Sequence, residues 1–68
     1  MQRDDLIRDL RRFATKNGLP FDLMKGKGKG SHHTVLVGTK TTTLQSGEYT
    51  PFMVRRILNQ LGIDPAAL

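Results

Sequence analysis

The sequence has 68 residues, a formal net charge of +5 and no cysteine. A chain of this length is expected to form one small domain with a single core, spanning residues 1–68. The lack of cysteine excludes disulfides, zinc knuckles and thiol nucleophiles. No apolar run is long enough to cross a membrane and no signal-peptide core follows the first residues, so we expect a cytoplasmic protein. The positive charge favours a polyanionic partner such as nucleic acid, although it would also serve solubility alone.

The positive charge is concentrated in the first two-thirds of the chain. Residues 1–20 contain five cationic and three acidic side chains, and residues 21–47 contain four cationic and one acidic. Residues 48–68 are neutral, with two side chains of each sign. The densest cluster is the alternating Lys/Gly stretch of residues 25–30. Any polyanion is therefore expected to meet this part of the chain.

Residues 4–17 are predicted to form an amphipathic helix. The apolar positions repeat with the spacing of one helical face: Leu6, Ile7, Leu10, Phe13 and Ala14. Acidic residues fall in the first turn and Lys16 in the last, and Gly18 can end the helix. Opposite the apolar face lies a basic stripe, formed by Arg8, Arg11, Arg12 and Lys16. This basic stripe is either a solvated surface or a contact for backbone phosphates.

The middle of the chain changes from helical to strand periodicity. Strands are predicted at about residues 21–25, 31–37 and 41–45, with a turn signal at Gly38. Alternation along the second strand places His33 on the face of Val35 and Val37, and His32 on the opposite face. If the valines face the core, His33 turns inward as a structural histidine and His32 turns outward.

A second helix is predicted over residues 51–61. Thr50 is a suitable N-cap, Pro51 suits the first helical position, and Gly62 suits the end. The apolar stripe of this helix consists of Val54, Ile57, Leu58 and Leu61. Phe52 lies opposite that stripe, so it belongs either to an interface or to a contact with the edge of the sheet.

The predicted architecture is α+β with the order α-β-β-β-α. A three-stranded antiparallel sheet with both helices on one face buries every apolar stripe in a single layer contact. The other face of the sheet would then be open to solvent or to a partner. This open face is expected to carry Leu36, and it could also carry Leu44.

His32 is the candidate catalytic residue, because it follows directly after three lysines and three glycines. A neutral imidazole can take up a proton near neutral pH, and its imidazolium can return one. Lysines hold a phosphate, and glycines let backbone N–H groups approach it. RNA supplies its own nucleophile, the 2′-hydroxyl, so cleavage needs neither a metal nor a protein nucleophile. The candidate RNA-binding residues are Lys25, Lys27, Lys29, Gly30 and Ser31.

Other kinds of site do not fit the sequence. Lys29 is followed by Gly30 rather than Ser or Thr, so the glycine-rich stretch is not a Walker A loop. Two adjacent histidines with no nearby carboxylate pair do not make a metal site. The chain has no Trp, one Tyr and three Phe, which argues against a stacking platform for single-stranded RNA. We expect no metal and no cofactor.

These features together resemble the HicA family of small toxins, the ribonuclease half of HicBA type II toxin–antitoxin pairs. The resemblance covers roughly residues 4–63. It rests on an N-terminal helix that ends in a glycine, on a basic stretch running into Gly30-Ser31-His32-His33, and on the C-terminal segment VRRILNQLGI of residues 54–63.

The resemblance implies a fold like that of the double-stranded-RNA-binding domain, which agrees with the α-β-β-β-α order. It also implies metal-independent cleavage of mRNA, which blocks translation. The motif histidine of the family corresponds to His32, the residue after Gly30-Ser31. The implied partners are an mRNA substrate and a HicB-like antitoxin that covers the active face.

The sequence departs from the family pattern at the end of the third strand. Family members often have a Pro-x-His element there, whereas this chain has Leu44-Gln45-Ser46-Gly47 followed by Glu48-Tyr49-Thr50. His32 therefore lacks a second histidine partner from that element. RNA binding is expected to depend more on Lys25, Lys27 and Lys29.

Three functions remain open from the sequence. The first is a toxin ribonuclease that uses His32 as general acid and base. The second is a non-catalytic RNA-binding module of the same fold, in which the basic stripe and the lysine-rich loop bind phosphates. The third is an interaction protein whose charge serves solvation only.

Overall fold

A computed structural model describes residues 1–26 and 32–68 of the chain. Its main elements are α1 (Arg3–Lys16), β1 (Phe21–Lys25), β2 (His33–Val37), β3 (Lys40–Leu44) and α2 (Pro51–Gln60). The predicted α+β class and the α-β-β-β-α order are confirmed. β1 has the predicted bounds, while β3 lies one residue earlier than predicted. The predicted second strand included Ser31, which lies outside the described residues, and β2 itself begins at His33.

The three strands form an antiparallel sheet in the order β1-β2-β3. Lys25 of β1 pairs with His33 of β2, and His33 pairs in turn with Leu44 of β3. Residues directly opposite one another in such a sheet share a face. This register therefore determines which side chains of the three strands lie together.

Both helices pack against one face of the sheet around a single core. Leu6, Leu10 and Leu58 from the helices contact a cluster that includes Val35 and Val37. The valines of β2 thus face the helices, as the alternation predicts. The opposite, open face carries Met24, Thr34, Leu36, Thr41 and Thr43.

The expectation that the open face could carry Leu44 is wrong. Its side chain is fully buried, with 0% exposure, on the helix-facing side. The reason is register, since Leu44 pairs with His33 and so shares the face of Val35. Leu36 does lie on the open face, as expected, and it is half-buried there.

Both α-helices end in the same backbone arrangement. In α2, Gly62 has φ +70° and the N–H of Ile63 donates to the carbonyl of Leu58 at 2.8 Å. In α1, Gly18 has φ +66° and the N–H of Leu19 donates to the carbonyl of Ala14 at 2.8 Å. These are Schellman ends, in which glycine accepts the left-handed conformation without steric cost.

The start of α2 is also as predicted. The Thr50 hydroxyl accepts a hydrogen bond from the N–H of Met53 at 3.2 Å, and Pro51 occupies the first position of the helix. Phe52 is 68% exposed, so it does not fold onto the edge of the sheet. A short 3-10 helix, Pro65–Ala67, follows α2, and the Asp64 carboxylate caps it.

Neither α-helix combines the length with the apolarity that crossing a bilayer would require, for the part of the chain that the structure describes.

Candidate functional site

His32 is exposed and lies one residue before β2. Its backbone carbonyl accepts a hydrogen bond from the N–H of Gly26 at 2.8 Å, one step beyond the Lys25–His33 pair. A Cβ added to Gly26 would collide with this carbonyl oxygen. Glycine at this position therefore lets the backbone close against His32 and fix where the imidazole emerges from the sheet.

Four of the predicted RNA-binding residues fall outside the described part of the chain: Lys27, Lys29, Gly30 and Ser31. In the sequence they stand between Gly26 and His32, the two residues joined by the hydrogen bond. Their assignment as RNA-binding residues stays a prediction.

Lys25, the remaining predicted RNA-binding residue, is exposed and pairs directly with His33. Side chains alternate along a strand, so Lys25 and His33 share the helix-facing side while His32, one position earlier, turns to the opposite side. The structure thus brings Lys25 to His33 rather than to His32. Proximity along the chain alone predicts Lys25 beside His32, and the register of the sheet overrides it.

A cleft of about 380 Å³ opens beside this pair, between the N-terminal half of α1 and the ends of β1 and β2. We refer to it as the α1–β1 cleft. Its floor includes the apolar side chains of Ile7 and Leu23. The groups around it are mostly basic: Arg3, Arg8, Arg11, Lys25 and His33, with Asp4 as a carboxylate.

The cations of the α1–β1 cleft differ in how far their charge is compensated. Arg8 lies between two carboxylates of its own helix, with Nη1 3.6 Å from Asp5 Oδ1 and Nε 3.4 Å from Asp9 Oδ1. Within the described residues, Arg11 and Lys25 form no ion pair with a carboxylate. These two side chains carry the uncompensated positive charge of the cleft.

Arg11 is positioned by an aromatic ring instead of by a carboxylate. The centre of its guanidinium lies 5.2 Å from the centroid of the Phe21 ring, at the start of β1. Such a cation–π contact stabilises the position of the group but leaves its N–H donors available. Arg11 can therefore present donors towards the cleft with little loss of side-chain freedom.

His33 lines the same cleft and is half-buried. Its Nδ1 atom is buried and has no hydrogen-bond partner in the structure as described. A purely structural histidine normally has its buried ring nitrogen paired, because an unpaired buried polar atom is costly. The inward direction of His33 agrees with the sequence analysis, but its hydrogen-bonding need is not met by the described part of the fold.

The basic stripe does not act as one surface. Arg8 and Arg11 line the α1–β1 cleft, whereas Arg12 and Lys16 line a separate depression beside Leu68. The grouping of Arg11 with Lys25 and His33 is not predicted by the sequence. The period of two on each strand contains part of that signal, but the register of β1 on β2 and the position of α1 are needed to complete it.

Tyr49 holds the segment that directly follows β3. The Tyr49 hydroxyl donates to the backbone carbonyl of Gln45 at 2.6 Å, and the ring belongs to the core. This is the region where the sequence has Gln45-Ser46-Gly47 in place of a Pro-x-His element. Close by, the Thr42 hydroxyl donates to Gln60 Oε1 at 2.6 Å, which connects β3 with α2.

Among the described residues, His32 offers an exposed imidazole, and the α1–β1 cleft offers a second imidazole and two cations without an ion pair. Within the same described residues, no three His, Asp or Glu side chains are placed to share a metal ion. This set of groups can exchange protons at His32 and can attract an anion at the α1–β1 cleft.

Comparison of the chain with protein-family models, with curated proteins and with solved structures finds no match.

Proposed function

We propose that this protein is a metal-independent endoribonuclease that cleaves mRNA, of the kind found as the toxin in HicBA type II toxin–antitoxin pairs. The observation that carries the proposal is the exposed imidazole of His32, held at the base of the β1–β2 connection by the Gly26 hydrogen bond. The lysines and glycines of residues 27–30 precede it directly in the sequence. An accessible proton carrier is thus attached to a segment suited to holding a phosphate.

His32 acts in this proposal as the general base. The imidazole takes the proton of the ribose 2′-hydroxyl, and the 2′-oxygen then forms a bond to the neighbouring phosphorus. The bond from phosphorus to the 5′-oxygen breaks, which leaves a 2′,3′-cyclic phosphate on one fragment. The imidazolium returns the proton to the 5′-oxygen of the other. Proton transfer of this kind contributes about 10²–10⁴-fold to a rate.

The residues that precede His32 in the sequence are proposed to meet the remaining requirement, which is binding of the reacting phosphate. Lys27, Lys29, Gly30 and Ser31 are assigned to this role, as cations, backbone N–H donors and a hydroxyl. Because RNA brings its own nucleophile, these groups suffice without a cofactor. The substrate class follows from the same chemistry, since DNA lacks the 2′-hydroxyl.

A second candidate function is RNA binding without cleavage. The observation that favours it is that the two cleft cations without an ion pair among the described residues, Arg11 and Lys25, lie with His33 and not with His32. Cleavage and binding are distinguished by the fate of the RNA.

The test is a cleavage assay with the intact protein in EDTA. We expect wild-type protein to cut RNA and to leave a 2′-O-methyl RNA of the same sequence intact. His32→Ala should lower the cleavage rate by about 10²–10⁴-fold while the protein stays folded and bound to RNA. Thr43→Ala is the control, because Thr43 is exposed on the same face of the sheet.

Each result of this assay has a defined meaning. Cleavage that survives in His32→Ala overturns the assignment of His32. Binding of RNA by wild-type protein with no cleavage favours the second candidate function. A protein that binds no RNA even at low salt contradicts both and leaves an interaction role.

The biological role proposed is a toxin that acts in the cytoplasm and is held inactive by a HicB-like antitoxin. The open face supports the presence of a partner, since it carries the half-buried Leu36 and the 44%-exposed Met24, and both described α-helices pack against the other face. Expression of wild-type protein should stop growth, and expression of His32→Ala should not. A neighbouring reading frame whose product binds this chain and relieves the arrest would support the antitoxin. A neighbour that does not bind would contradict it.

A further inference from the structure

We propose that the α1–β1 cleft binds one internucleotide phosphate of the RNA, separate from the phosphate that reacts at His32. Arg11 and Lys25 supply the charge and His33 supplies a hydrogen bond. The inference rests on the proposed function for its ligand class, RNA, and adds a second contact that places the strand.

The α1–β1 cleft carries positive charge that no carboxylate of the described residues compensates. Arg8 is flanked by Asp5 and Asp9, so its positive charge is largely directed along α1. Arg11 and Lys25 come from two different elements, line the same cleft, and have no carboxylate partner among the described residues. Two such cations lining one cleft create a local field that favours an anion.

One of these two cations, Arg11, is already oriented. The guanidinium of Arg11 rests over the Phe21 ring at 5.2 Å. A positioned guanidinium loses less conformational freedom on binding than a free side chain does. Its planar arrangement of N–H donors suits two oxygens of a phosphate group.

The third feature of the cleft is the imidazole of His33. Its buried Nδ1 has no partner in residues 1–26 and 32–68. His33 lines the cleft, so a phosphate oxygen there could accept a hydrogen bond from the imidazole once the ring turns to bring a nitrogen to it.

The geometry of the strand separates this phosphate from the reacting one. His32 and His33 are adjacent, with Cα atoms about 3.8 Å apart, but their side chains leave the backbone in opposite directions. A single phosphate cannot contact both rings. Because β1 is an edge strand of the sheet, an RNA chain can pass over that edge from the cleft to His32.

The test measures binding of a single-stranded 2′-O-methyl RNA, which cannot be cut through a 2′-hydroxyl. Affinity is followed by fluorescence anisotropy across a range of salt concentrations. Arg11→Gln and Lys25→Gln are compared with Arg55→Gln and Lys40→Gln, which remove the same charge at exposed positions outside the cleft. Loss of one phosphate contact should lower the slope of log affinity against log salt by about 0.7 for a single strand.

A double variant tests whether the two cations hold the same phosphate. Arg11→Gln combined with Lys25→Gln should lower the slope by about 0.7 in total, because only one phosphate is lost. A decrease of about 1.4 would contradict a shared phosphate. Arg11→Lys keeps the charge and should retain most of the slope, which separates binding from any effect on the Phe21 contact.

The outcome that overturns the inference is equal behaviour of the cleft variants and their controls. The same holds if wild-type protein does not bind the 2′-O-methyl RNA. Failure of the proposed function looks different: cleavable RNA stays intact while the cleft variants still lose affinity and slope. His33→Ala should raise the RNA concentration needed for half-maximal cleavage more than it lowers the rate at saturating RNA, as expected of a positioning residue. A rate at saturation reduced as far as in His32→Ala contradicts this.

Discussion

The two faces of the β-sheet put neighbouring residues into opposite environments. On the helix-facing side, Val35, Val37 and Leu44 are buried, and His33 lies at the rim of that layer beside a basic cleft. On the open side, Leu36 stays half-buried under no helix, and the neighbouring His32 is exposed. Two residues of the same type can therefore have different roles, because strand alternation separates them more effectively than distance along the chain.

The difference also separates stability from chemistry. Groups on the helix-facing side determine whether the chain folds, and groups on the open side can change with little effect on the fold. The cleft is the place where the two meet, since His33 belongs to the buried row but lacks a partner for Nδ1 in the described part of the chain. Three predictions about stability test this comparison.

The largest expected effect is on the buried row. Leu44→Ala removes a fully buried side chain and should lower the free energy of unfolding by about 2–5 kcal/mol. Leu36→Ala, on the open face of the neighbouring strand, should lower it by about 1 kcal/mol or less. Urea denaturation followed by circular dichroism measures both. Equal losses for the two variants would show that the faces are not energetically different.

Leu44→Met provides a check on this pair. It conserves the side-chain volume, so the cost should stay below about 1.5 kcal/mol. The total stability of so small a domain is only a few kcal/mol. The loss expected for Leu44→Ala is therefore large enough to unfold most molecules. The conservative variant then shows that the position itself tolerates change when the core stays filled.

An intermediate effect is expected at Gly26, whose N–H donates to the carbonyl of His32. Gly26→Val forces a side chain against the His32 carbonyl oxygen and should cost about 1–3 kcal/mol, since the backbone must shift to accept it. Met24→Val, at an exposed position of β1 two residues earlier, should have little effect. The midpoint of urea unfolding compares them. Two equal midpoints would contradict the close approach of Gly26 to His32.

The smallest effect is expected at the end of β3. Tyr49→Phe removes the hydroxyl that donates to the Gln45 carbonyl and should cost about 0.5–1.5 kcal/mol. For a domain of this size, 1 kcal/mol corresponds to a fall of about 4–8 °C in Tm. The reverse change, Phe52→Tyr, adds a hydroxyl at an exposed ring and should leave Tm unchanged. A Tm of Tyr49→Phe equal to that of wild type would mean that this hydrogen bond contributes nothing to stability.

Local chemistry explains how much of the fold could be predicted. The apolar period of α1, the Thr50 cap and the glycines after each helix act through neighbouring residues, so they can be recognised without knowing the rest of the structure. The same is true of the alternation that turns His33 inward and His32 outward. The face of the sheet that carries Leu44 could not be predicted in this way, because in a short threonine-rich strand it depends on the register with the neighbouring strand.

The sequence by itself determined the α-β-β-β-α order, the concentration of positive charge in the first two-thirds of the chain and the opposite directions of the two histidines. These properties follow from periodicity and composition, which act over a few residues. Only the tertiary structure decided that Leu44 is core, that Phe52 is exposed, and that Lys25 and Arg11 meet at His33. The physical reason is that register and helix docking bring together residues distant along the chain, and the free energy of burying the whole core selects that arrangement.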